Sequence, residues 1–107
     1  MSTYVFIESR DPFESRDTKF IEETALAVKD RGHDVTIFLV QNGVLGARKS
    51  AKRLDRLIDA GVALLADDLS LTERGIKTGE LANGVQPTAI DELVEQIVKE
   101  KTKVIWH

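Results

Sequence analysis

With 107 residues, 42% of them hydrophobic and 31% charged, the chain has the size and balance of one soluble globular domain, spanning residues 1–107. A net charge of −3 gives no electrostatic case for nucleic acid or an anionic membrane. Zero cysteines exclude disulfides, thiolate metal sites and any persulfide carried on this chain.

No apolar run approaches the about 20 residues of a membrane span. No basic start leads into an apolar segment of the secretory kind, so the expected location is cytoplasmic. The densest basic cluster, Arg48, Lys49, Lys52, Arg53 and Arg56, has helical spacing and reads as a solvated face.

Thr3 to Ile7 is rich in β-branched and aromatic residues and predicts a first strand ending at Glu8. A polar loop with Pro12 follows. Asp17 or Thr18 can cap a helix whose apolar residues include Phe20, Ile21, Thr24, Ala25 and Val28, and Gly32 stops it. Phe20, Thr24 and Val28 are expected to face the core. Val35 to Val40 is continuously apolar but for Thr36, as in a strand covered on both faces. It exits through Gln41-Asn42-Gly43 into a helix with Ala47, Ala51, Leu54, Leu57 and Ile58 inward, closed by Gly61.

Val62 to Ala66 predicts the third strand, which ends abruptly at Asp67 and Asp68. Ser70-x-x-Glu73 fits a capping box opening a short helix that Gly75 closes. A weak fourth strand is signalled near Val85 and Gln86. Pro87 and Thr88-x-x-Asp91 mark a helix start, with Ile90, Leu93, Val94, Ile97 and Val98 as its apolar stripe. Lys103 to Trp106 predicts the last strand, and His107, as the final residue, is expected to fray.

Strands alternating with helices predict an α/β fold: three layers, α/β/α, around a mostly parallel sheet of four to five strands. In such a sheet the strand C-termini share one edge, where ligands bind. That edge collects Glu8, Gln41, Asn42, Gly43, Asp67, Asp68, Trp106 and His107; the first six are the candidate ligand-binding residues, and His107 could serve as a ligand or base only if it were held in place. Gly43 would let a ligand approach the backbone closely, and the two aspartates would favour a cationic partner. Asp67 and Asp68 also suit simple turn or helix capping. Glu8, Asp11, Asp67 and Asp68 could offer oxygen ligands to Mg²⁺, but no spacing singles them out, and no metal or cofactor is assigned. A phosphoacceptor receiver would need an acidic pair after the first strand and a lysine after the last, and both are missing. Gly43-x-x-Gly46 lacks the rest of a phosphate loop. No residue is assigned a catalytic role. Leu69, Leu71 and Leu81 fall where they could stay exposed, as candidates for subunit contacts.

The segment Val62–Ala66, the helix ending Arg74-Gly75-Ile76, the strand exit Phe38–Val44 and the closing Val104-Ile105-Trp106 together resemble the DsrE/DsrF family of small sulfur-relay proteins. The resemblance covers most of the chain. It implies a parallel five-stranded sheet, homo-oligomers (trimers or hexamers) and a cytoplasmic sulfur-carrier protein as partner. Active members carry a cysteine about where Asp67 and Asp68 stand. A carboxylate cannot hold a transferable sulfane sulfur. The expected function is therefore a non-catalytic binding or assembly subunit linked to intracellular sulfur transfer. The alternative is a small-molecule or divalent-metal-dependent enzyme using the acidic strand ends.

Overall fold

The structure is a computed structural model that describes residues 2–107. Its five strands are β1 (Thr3–Glu8), β2 (Asp34–Leu39), β3 (Ala63–Asp67), β4 (Val85–Thr88) and β5 (Thr102–Trp106). All pair in parallel, in the order β4-β3-β2-β1-β5. The helices are α1 (Asp17–Asp30), α2 (Asp55–Asp59), α3 (Asp68–Glu73) and α4 (Ile90–Ile97), with 3₁₀ turns at Gln41–Ala47, Lys49–Ala51 and Thr78–Glu80.

This order explains how the layers divide. From β1 to β4 each connection steps the same way along the sheet, so right-handed crossovers stack them on one face. The β4–β5 connection steps back across the sheet, which puts α4 on the other face. The buried side chains agree. Ile21 and Ala25 of α1, Leu57 of α2 and Leu71 of α3 join Phe6, Ile37, Leu39 and Leu64 in a large core. On the opposite face Leu93 of α4 packs with Val5, Ile7, Phe38 and Val40 in a small one.

Several expectations are corrected. In α1 the buried residues are Ile21 and Ala25, while Phe20 is 67% exposed. Two stripes with the same spacing competed, and the one containing small Ala25 lets the helix sit close to the sheet. The single helix expected over Ala47–Ile58 is broken into 3₁₀ turns and the short α2, with Lys52 left-handed at φ 53°. The cap of α3 is Asp67 rather than Ser70. Thr88 closes β4 instead of opening a helix, and α4 starts after Ala89 with no side-chain cap. Pro87 is tolerated inside β4 because that strand lies at the sheet edge, where a missing N–H breaks no ladder bond.

Candidate functional site

Because all five strands run the same way, the edge predicted to gather Glu8, the Gln41-Asn42-Gly43 turn and the Asp67-Asp68 pair is real. The structure then separates those residues into two places.

The first is the end of β1. Glu8 is only 5% exposed although it carries a carboxylate. Both its oxygens lie 2.9 Å from His107 Nδ1, and Oε2 accepts the Arg10 backbone N–H at 3.2 Å. His107 does not fray. Its backbone N–H donates to the Ile7 carbonyl at 2.8 Å, and its carbonyl accepts from both Ser9 N and Ser9 Oγ at 3.0 Å. An ionised carboxylate only accepts, so the pairing puts a proton on Nδ1 and leaves Nε2 for another partner.

Gly43 is buried directly behind Glu8. A Cβ on Gly43 would fall inside the contact distance of the Glu8 carbonyl oxygen and 3.0 Å from its carbon. At Gly46 a Cβ would lie 2.7 Å from Pro12 Cγ. The space beside Gly43 is therefore taken by the chain's own β1 backbone. Together these contacts press the 3₁₀ turn against the β1–α1 loop and form one wall of a cleft of about 290 Å³. Its floor is Ile37 and Leu39 of β2, with Ile21, Leu54 and Leu57 from the two flanking helical segments.

The second place is the start of α3. Asp67 is buried and its Oδ2 accepts from Ser70 N at 3.1 Å and from Ser70 Oγ at 2.7 Å. Ser70 Oγ in turn accepts the Gln41 backbone N–H at 2.8 Å. Arg74 donates from Nε to Asn42 Oδ1 at 3.0 Å and from Nη1 to the Ser70 carbonyl at 3.1 Å. Gln41 and Asn42 are exposed, and Asp68 is exposed in the first turn of α3. Asp67 thus ties β3, α3 and the β2 exit together. Asp67→Ala removes the cap and leaves the buried Ser70 hydroxyl without its acceptor. A loss of about 1–2 kcal/mol is expected from the urea midpoint, and Asp67→Asn, which still accepts, should lose less.

Among the described residues, no group of three or more His, Asp or Glu side chains could hold a metal ion. Glu8, Asp11, Asp67 and Asp68 are not gathered. Sequence reasoning missed Ser70 and Arg74 as members of these networks. Ser70 was visible as a helix-start residue. His107 was placed at this edge by the strand order but expected to fray; what holds it is its pairing to β1 and Glu8, 99 residues away in sequence.

A parallel five-stranded sheet flanked unequally by helices, with its polar groups at the strand ends, defines a small three-layer α/β protein. The sequence matches the DsrE/DsrF-like family over residues 2–106. The chain belongs to that family. Its fold is similar to the crystal structure of the ychN protein from E. coli, with a TM-score of 0.90, 20% identity and 100% of both chains covered. It is also similar to MTH1491 from Methanobacterium thermoautotrophicum, a protein of unknown function, with a TM-score of 0.81, 21% identity and 100% of both chains covered. None of the curated proteins matches the sequence.

Proposed function

We propose that this chain is a thiol-free DsrE-like subunit that assembles with copies of itself and binds a sulfur-carrier protein, without carrying persulfide itself. The observation that carries the reading is the β3 exit. About where the family resemblance places a cysteine, Asp67 is buried with its Oδ2 capping α3 and Asp68 is exposed, and the sequence offers no thiol elsewhere. Sulfane sulfur needs a thiolate to ride on.

The surface supports assembly. Ile90, Val94 and Val98 follow one another at four-residue spacing along α4 and its end, and all three are exposed. Val104 and Trp106 of the edge strand β5 are exposed too, 66% in the case of Trp106. Their pairing with Val5 and Ile7 places them on the α4 side of the sheet. Large apolar groups concentrated on one side are the usual sign of a contact surface. Leu69, one of the three leucines expected outside, is 65% exposed. Leu71 and Leu81 are corrected: both are buried in the large core, Leu71 on the inner side of α3 and Leu81 beside Arg48, with which it forms an isolated antiparallel bridge.

Sedimentation velocity at micromolar concentration tests the assembly. The expected result is a species larger than the monomer, shifted toward the monomer by Val98→Glu or Trp106→Glu with unchanged far-ultraviolet circular dichroism. A monomeric wild type would remove the reading. Uptake and release of labelled sulfane sulfur by the purified chain alone would remove its thiol-free part.

A further inference from the structure

The cleft beside Glu8 lies on the three-helix face, away from the apolar α4 side, and the assembly reading does not use it. Its floor is apolar: Ile37 and Leu39 of β2 below, Ile21 of α1 and Leu57 of α2 at the sides. Its mouth is cationic. Arg10, Lys19, Lys52, Arg53 and Arg56 line it, against Glu8, Glu22 and Asp55. Much of that charge is already paired. Arg56 holds Glu22 at 3.2 Å, Arg10 holds Asp17 at 3.6 Å, and Glu8 is engaged by His107. Among the described residues, Lys19, Lys52 and Arg53 have no carboxylate within ion-pair distance, and the lining acids without a Lys or Arg partner are Asp55 and Glu8, the latter hydrogen-bonded to His107. The unpaired balance is positive, in a chain whose net charge is −3.

Two of these cations are placed by the fold rather than left free. The Arg53 guanidinium lies 4.8 Å from the Phe13 ring centroid, a distance at which the ring face attracts it. Lys52 stands at a left-handed turn, φ 53°, that ends the 3₁₀ segment and starts the approach to α2. Glu8 brings a buried acceptor to the cleft wall. A carboxylate has room for about four donors. His107 Nδ1 and the Arg10 N–H do not fill that capacity.

We infer that this cleft binds a small organic carboxylate with an apolar body and a hydroxyl or amine. The carboxylate meets Lys19, Lys52 and Arg53 at the mouth, the body lies on Ile37 and Leu39, and the donor reaches Glu8. A volume of about 290 Å³ sits at the lower end of the ligand-pocket range and suits a compact molecule. The position, at the C-terminal ends of parallel strands, is where open α/β sheets bind ligands.

The probe is phenyllactate, titrated into the full chain while its backbone amide NMR spectrum is recorded. Saturating shifts are expected at Gly43, Gly46, Ile21 and Leu57. Phenylethanol, which lacks the charge, phenethylamine, which reverses it, and inorganic phosphate, which lacks the apolar body, are each expected to bind at least about ten-fold more weakly. The double variant Lys52→Gly/Arg53→Gln should weaken phenyllactate by about ten-fold or more while keeping a dispersed spectrum, since glycine accepts the left-handed φ without strain. The inference is overturned by non-saturating shifts, by equal binding of any of the three comparison compounds, or by a folded double variant that binds as the wild type does.

Discussion

Phe38→Ala is expected to destabilise the fold by about 3–5 kcal/mol, the range for truncating a fully buried aromatic residue. Phe38 is completely buried in the middle of the sheet, on the face covered by α4 alone. Its neighbours there are Val5, Ile7, Val40 and Leu93, with Leu65 and Ile97 partly buried around them. The layer is thin, so little can collapse into the space a removed ring would leave. A domain of this size has about 5–15 kcal/mol in all, so the variant should lose a large share of its urea midpoint at constant m-value. Phe20→Ala supplies the contrast. The same residue type on the outer side of α1 should change stability by no more than about 0.5 kcal/mol. A loss below about 1 kcal/mol for Phe38→Ala would show that the α4 face is not packed as described.

Gly43→Ala is expected to cost about 3 kcal/mol or more, at the upper end for overpacking. The reason is not φ, which lies outside the left-handed region at Gly43. A methyl group there meets the Glu8 carbonyl, and that carbonyl already accepts the Val40 N–H at 3.0 Å within the β1–β2 ladder. Backbone must therefore move against backbone. Gly79→Ala, in the last 3₁₀ turn, has nothing within 4 Å of the added carbon and needs no positive φ. It should be neutral or stabilising by up to about 1 kcal/mol, through the unfolded chain. Equal midpoints for the two variants would contradict the contact between the 3₁₀ turn and the end of β1.

The alternation of apolar runs with amphipathic segments was enough to read four strands, a weak signal for β4 and the α/β class, because burial on both faces leaves β2 and β3 visibly apolar. The faces of the helices were less legible. Phe20 and Ile21 sit on neighbouring stripes of one helix, and only packing against the sheet chose Ile21. The middle segment failed for a different reason. Its apolar spacing fits a continuous helix, but Gly43 and Gly46 are held against Glu8 and Pro12, contacts with residues more than thirty positions earlier.

The candidate site divides the same way. Position at the strand ends could be read for all six residues, since parallel strands share an edge. Grouping could not. Glu8 and Gly43 line one wall, whereas Asp67 joins Gln41 through Ser70, and Asn42 reaches Arg74. The sequence alone determined that no thiol exists here and that a parallel sheet would form, since composition and local apolar periodicity need no distant partner. Only the tertiary structure decided that His107 holds Glu8, that Ser70 takes the Gln41 N–H, and that a cationic mouth opens over β2. Each of these rests on a contact made between separate segments, and local pattern carries no information about which remote backbone will supply the other half.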